Sequence, residues 1–303
     1  MAARHDGAGG GRLEGTASAF KPGVLTPVAP LVRRLVAPNA SLMTGPGTNT
    51  YLLGDPVVAI IDPGPNDAGH IAAILAFAPQ ARCVFVTHTH ADHSPAARVV
   101  GERLGAEQIG RLPPDDGRQD LSFRPDTQPV RDQIFDLGEL ALKAIDTPGH
   151  ASNHVCYLLQ PGGLLFSGDH LLEGVTPVIL APDGDMAAYL DSLERLKSYP
   201  LEQIAPGHGG LYGAPMQAID AVIAHRLTRE REVLAALHAV GAVSIDALLP
   251  QIYRHVPTAL QRFARCSLEA HLIKLERDGR CRQHGLQDAQ DTQDTQDTRV
   301  WSA

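Results

Sequence analysis

The sequence is short of cysteine, short of aromatic rings and free of long apolar runs. Its four cysteines, Cys83, Cys156, Cys266 and Cys281, show no CxxC spacing. That argues against a disulfide framework and for reduced thiols. Aromatic residues make up 5% of the chain, which argues against a broad base-stacking surface. No apolar run approaches the ~20 residues a membrane span needs. The first fifteen residues hold glycine, Arg4 and Arg12 but no apolar stretch, so no secretory signal is read there. These absences predict a soluble, cytoplasmic protein that avoids membranes. The net charge of -8 makes a poor polyanion binder unless positive charge is segregated. What is present is ordinary: 44% hydrophobic and 20% charged residues over 303 positions, enough to bury a full core.

The ends of the chain read as loose. Residues 1–20 are rich in Gly, Ala and Ser, and residues 287–298 run QDAQDTQDTQDT with no apolar side chain larger than that of Ala289. We therefore expect a flexible segment over 1–20 and a disordered tail over 285–303. Between about 31 and 206, short β-type runs alternate with turns and helical stretches. Strands are expected at 50–53, 57–61, 83–87, 140–146, 155–159 and 164–167. Helices are expected at 68–77, 95–104 and 186–198, the last with Asp185 as N-cap. This mixture indicates an α/β layered domain over 21–220. From 221 the pattern is helical. Ser244 and Thr258 are placed to cap two helices, and a short basic stretch, Arg280-Cys281-Arg282, follows Gly279. Three helices and a short ribbon suit a small winged-helix-like domain over 221–284. Residues 1–224 carry 15 basic against 24 acidic side chains, whereas residues 225–284 carry 10 against 6. The appendage is thus mildly basic on an acidic main domain.

One string stands apart: Thr87-His88-Thr89-His90-Ala91-Asp92-His93, directly after the β run Cys83-Val84-Phe85-Val86. Three imidazoles and a carboxylate within six residues are a donor set suited to zinc. Burying them without partners would be costly. Three further donors follow, each just past a strand and beside a glycine: Pro148-Gly149-His150, Phe166-Ser167-Gly168-Asp169, and Pro206-Gly207-His208-Gly209. Singly each is a turn motif, but together with the first string they form a metal-ligand constellation.

In this order and spacing the motifs resemble the metallo-β-lactamase superfamily, whose pattern HxHxDH, then His, Asp and His is matched across about 25–215. The resemblance implies an αββα sandwich with its site at the edge between two sheets. It also implies two divalent cations, usually zinc, with iron or manganese as alternatives. His88, His90 and His150 would hold the first cation, Asp92, His93 and His208 the second, and Asp169 would bridge them. Asp92 would also orient the nucleophile. Ile60-Ile61-Asp62-Pro63-Gly64 matches an earlier element of the family, in which Asp62 would support the ligand loop. A turn aspartate before Pro-Gly is the alternative reading. His154 and His170 are left as either supports behind the ligands or contacts to substrate. Ser94 and Ser167 read as structural, because two adjacent cations generate hydroxide from water at neutral pH without a side-chain nucleophile.

The strings at 225–231 and 272–279 resemble the C-terminal domain of the lactamase-beta-like protein 2 branch, as do Gly168-Asp169-His170-Leu171-Leu172 and Thr176-Pro177. That branch includes a single-strand-specific endoribonuclease, and similar chains release polyketides from carrier proteins as thioesterases. The sequence lacks the long insertion and the exosite arm of other nuclease relatives, and no basic glutathione-binding set can be placed. Three readings follow. The favoured one is hydrolysis of a thioester or other acyl ester, small or carrier-bound. The second is cleavage of single-stranded RNA, with Arg226, Arg229, Arg231, Arg254, Arg262 and Arg265 as candidates to track its backbone. The third is a non-enzymatic metal-binding scaffold.

Overall fold

A computed structural model describes residues 20–285 and 299–303. Two six-stranded sheets form its centre. The first runs β1 (Leu25–Ala29), β2 (Val32–Val36), β3 (Asn49–Leu53), β4 (Ala59–Ile61), β5 (Cys83–Phe85) and β6 (Glu107–Ile109), in that order. The second contains β7 (Ile134–Asp136), β8 (Ala141–Asp146), β9 (Val155–Gln160), β10 (Leu164–Gly168), β11 (Gln203–Pro206) and β12 (Tyr212–Gly213), again in sequence order across the sheet. Most neighbours are antiparallel, but β4, β5 and β6 run parallel, as do β10 and β11.

The layering follows from side-chain alternation along strands. On β3, Tyr51 and Leu53 point to one face and Leu52 to the other. The first pair joins Phe85, Tyr157 and Phe166 between the sheets. Leu52 joins Ile60 and Val84 under α1 (Ala68–Phe77) and α2 (Pro95–Leu104). On the far side, Cys156, Leu158 and Leu165 face α3 (Met186–Leu196) through Met186, Tyr189 and Leu193. Four layers result, the αββα sandwich that the family resemblance implies. Asp67 and Asp185 cap α1 and α3 by accepting from backbone N–H groups.

The C-terminal domain is built on α4 (Pro215–Val240), α5 (Ile245–Ile252) and α6 (Gln261–Arg277), with one 3-10 turn at Thr258–Leu260 before α6. Ser244 caps α5 by accepting from the Ala247 amide, as its position predicts, whereas the side chain of Thr258 makes no cap and opens the 3-10 turn. A small sheet of β13 (Val243–Ser244), β14 (Arg282–His284) and β15 (Val300–Ser302) completes the wing, with β15 in the middle.

Regular structure crosses two of the expected boundaries. The division at 220/221 falls inside α4, which runs unbroken because it serves two cores. Ile219 and Val222 pack into the main domain, while Val233 and Leu237 pack into the C-terminal one. The tail expected to be disordered over 285–303 contains β15, whose Trp301 is 1% exposed and pairs across to Val243 and Gln283. Residues 286–298, including the whole polar repeat, lie outside the described residues. So do residues 1–19 of the expected flexible segment; Phe20 is described and lies 4.5 Å beneath the Arg34 guanidinium. The four cysteines are unpaired. Among the described residues no helix is long and apolar enough to cross a membrane.

Candidate metal centre

The seven donors flagged by their motifs come together where strand ends of the two sheets meet. The end of β5 delivers the string from Thr87 to His93, the end of β8 delivers His150, the end of β10 delivers Asp169, and the end of β11 delivers His208. Three overlapping groups have mutually close donor atoms: His88, His90 and His150; His88, His93 and Asp169; Asp92, His93 and His208. Asp169 stands between two triads. Its Oδ1 lies 3.4 Å from His93 Nε2 and 3.3 Å from His208 Nε2, and its Oδ2 lies 3.8 Å from His150 Nε2. Asp92 Oδ2 lies 3.2 Å from His208 Nε2 and 3.6 Å from His93 Nε2.

The hydrogen-bond partners behind the rings decide which nitrogen faces inward. The Thr87 hydroxyl donates to Asp62 Oδ2 at 2.7 Å, so it can only accept from His88 Nδ1 at 3.0 Å. Asp62 Oδ2 also accepts from His93 Nδ1 at 2.9 Å. His150 Nδ1 donates to Val178 O at 2.8 Å, and His208 Nδ1 to Gly47 O at 3.2 Å. Each of these four rings thus carries a proton on Nδ1 and turns Nε2 toward the cluster. The buried Nε2 atoms of His88 and His93 and Oδ1 of Asp169 have no hydrogen-bond partner. Buried polar atoms without partners are costly, and a cation among them would satisfy them all. The donor set therefore fits divalent metal, with every imidazole but His90 fixed from behind as metal-ligating histidines usually are.

The charges agree with this division. Burial, helped by the neighbouring imidazoles, holds His88 well below the ordinary histidine value and His150 down to about 4. Burial also works against charge on His93 and His208, but Asp92, Asp169 and Asp62 outweigh it at His93, and Asp169 and Asp92 lift His208 to about 9. For Asp92 burial favours the neutral form, and His93 and His208 overcome it, bringing its carboxyl down to about 2. One triad is neutral and imidazole-rich; the other is a cluster of carboxylates and protonated rings.

Asp62 lies behind the ligands. Besides His93 it accepts from the Thr87 amide at 2.8 Å, so it grips the ligand loop at two points. His154 and His170 are fully buried, a placement in keeping with supports behind the ligands. His154 stacks on His88 with ring centres 5.0 Å apart, and His170 packs between His154 and Tyr189. Ser94 donates to Asp120 and Ser167 to Leu171 O, both structural bonds. The loop has supports that sequence reasoning missed. Thr89 donates to Gln119 and accepts from Asn153, and the Asp120 amide donates to Thr89 O. Asn49 donates to the carbonyls of Pro206 and Gly209 on either side of His208. Only Thr87 and Thr89 carried a readable signal, by lying in the motif string.

Two glycines let these loops close. A Cβ on Gly207 would sit 2.7 Å from both Asp169 Oδ1 and His93 Cε1. One on Gly149, at φ +141°, would sit 2.3 Å from Tyr189 Cα.

Comparison with known proteins agrees with this geometry. Residues 43–208 match the model of the metallo-beta-lactamase superfamily, and residues 244–289 match the beta-lactamase associated winged helix domain. The chain is 30% identical over 273 residues to an atrochrysone carboxyl ACP thioesterase of Aspergillus fumigatus, covering 83% of this chain and 82% of that one. It is also 30% identical over 266 residues to the beta-lactamase-like protein 2 homolog of Drosophila melanogaster, covering 83% and 89%. A beta-lactamase domain protein from Burkholderia ambifaria has the same fold, with TM-score 0.75 at 19% identity over 93% of this chain and 94% of that one.

Proposed function

Since the chain belongs to the metallo-beta-lactamase superfamily and is a hydrolase of that fold, we propose that it cleaves acyl thioesters, including carrier-bound ones, with His88, His90 and His150 holding one cation, Asp92, His93 and His208 a second, and Asp169 joining them. The observation that carries the reading is the set of inward-facing, unpartnered donor atoms on both sides of Asp169, in a chain that resembles a named thioesterase over most of its length. Mixed imidazole and carboxylate donors suit zinc, with iron or manganese as alternatives. Bound there, two divalent cations supply the Lewis acidity that makes water a nucleophile at neutral pH and draws charge from a carbonyl oxygen.

The chain's own residues do the rest. Asp92 keeps its carboxylate ionised and 27% exposed. It accepts a hydrogen bond from the attacking water and orients it. Segments bonded to the ligand loops carry exposed apolar side chains. Leu42 and Met43 lie on the turn before Gly47, and Leu112 and Leu121 on the stretch that meets Asn153 and Thr89. Exposed apolar side chains on segments tied to the ligand loops suit contact with an acyl group.

Of the six arginines that a nuclease would need, three are withdrawn by burial or paired with a carboxylate, and three keep a charge unpaired among the described residues. Arg226 is buried, Arg229 pairs with Glu232 and Arg265 with Asp246. Arg231 donates to Thr228, Arg254 to His255, and Arg262 lies over Phe263. Phosphate tracking requires several uncommitted cations.

The test is a panel of N-acetylcysteamine thioesters read by thiol release, beside a fluorogenic single-stranded RNA, with metal-loaded protein. We expect thioester turnover that Asp92→Ala abolishes and that varies little with salt. RNA cleavage abolished by Asp92→Ala, with no thioester turned over, overturns the proposal.

A further inference from the structure

The basic string at 225–231 lies on α4, in the C-terminal half of the molecule, yet Arg226 points back into the main domain. It is 3% exposed, and its Nη2 donates to Pro177 O. The next carbonyl along, that of Val178, receives the Nδ1 proton of His150 at 2.8 Å. The Arg226 guanidinium also lies 5.4 Å over the ring of Tyr189. Tyr189 is the residue against which Gly149, the neighbour of His150, is pressed. Around the same turn, Ser192 donates to Pro148 O at 2.8 Å and the Asp185 amide to Gly149 O at 2.8 Å. His150 is therefore held from two sides, by α3 beneath its own turn and by the 176–178 segment behind its ring. Arg226 touches both.

A packing role alone does not account for an arginine here. Among the described residues no carboxylate pairs with it; the nearby Glu230 pairs with Lys274 and Arg280. Nε of Arg226 has no hydrogen-bond partner. A buried cation without a counter-charge is expensive, and an apolar side chain of similar length would serve the core as well or better. What an apolar side chain cannot do is fix the Pro177 carbonyl and, one residue on, the carbonyl that orients His150.

We propose that Arg226 is a positioning residue, through which the C-terminal domain sets the ring of His150 and so tunes the triad His88, His90 and His150, leaving the triad Asp92, His93 and His208 untouched. This rests on the metal reading above. The relevant supports differ: His93 leans on Asp62 and His208 on Gly47, neither of which Arg226 reaches.

The test is zinc affinity of the full chain, stripped of metal and titrated against a chromophoric chelator. Arg226→Met is made in two backgrounds, His208→Ala, which keeps the first triad, and His150→Ala, which keeps the second. Loss of a hydrogen-bonding support behind a ligand weakens metal binding by about tenfold or more. We expect a loss of about that size in the His208→Ala background, no change in the His150→Ala background, and a melting temperature of the metal-free chain that is unchanged or raised. Arg226→Lys, which keeps a donor and a charge, should recover part of the loss; if the methionine variant does not fold, the lysine variant is compared across the same backgrounds. Equal weakening in both backgrounds, or none in either, overturns the inference while leaving the metal reading standing. A wild-type chain that takes up no cation overturns both.

Discussion

His88, His90 and His150 stand on one side of Asp169, and Asp92, His93 and His208 on the other; burial and neighbouring charge act differently on the two triads. In the first, burial and mutual repulsion keep the rings neutral, with His150 held down to about 4. In the second, carboxylates overcome burial and keep protons on the rings, with His208 lifted to about 9. The difference teaches that the neighbours of a buried imidazole, and not burial alone, set its charge.

The largest expected effect comes from removing the group common to both halves. Asp169→Ala should cost both metal equivalents and lower turnover by about 10³-fold or more, or about 4 kcal/mol of transition-state stabilisation. His150→Ala and His208→Ala should each retain one equivalent. Elemental analysis of the three purified variants checks this. Two equivalents retained by Asp169→Ala would show that the halves do not share it.

Gly207→Ala also strikes both halves, by driving a methyl group against Asp169 Oδ1 and His93 Cε1. Misplacing groups by about an ångström costs on the order of 10²-fold in rate. We expect a fall of that size in kcat with the fold intact by circular dichroism. Unchanged kcat would mean that the 206–209 loop is slack enough to give way.

The contrast in protonation is open to direct measurement. His208 holds its proton up to about 9, so at pH 7 an entering cation must expel it, and affinity should climb with pH until that value. His150, at about 4, is already neutral at pH 7 and has nothing to release. Calorimetry of zinc uptake at pH 7 in buffers of different ionisation enthalpy should therefore report proton release for His150→Ala and little for His208→Ala. Equal release from the two variants would dissolve the distinction.

The smallest effect is expected at Thr87, which relays Asp62 to His88 alone through its hydroxyl. Thr87→Val should weaken zinc at the first triad by about tenfold and leave the second within error, as read by chelator competition.

Much of the site was legible because each donor sits just past a strand, inside a short string with a glycine or a second donor beside it. Its supports were not. Val178 and Gly47 act through backbone carbonyls, which every residue has, so no side-chain pattern marks them. Gln119, Asp120 and Asn153 lie in loops without period and meet the ligand loop only in three dimensions. In the fold, the helices 68–77 and 95–104 were readable to the residue. The hairpin of β1 and β2 was obscured by Pro27, Arg33 and Arg34, the last wholly buried with its guanidinium over Phe20. β15 was missed because a polar repeat precedes it, and three residues around one tryptophan are too short to announce a strand.

α4 also governs what kinds of motion the molecule can use. At 26 residues and about 1.5 Å per residue, it is a strut nearly 40 Å long with one end bedded in each core. Hinged domains turn on a few backbone positions that absorb large torsional changes. Here the shared helix offers none, so rocking the C-terminal domain would mean bending a hydrogen-bonded rod or tearing Ile219 and Val222 from their packing.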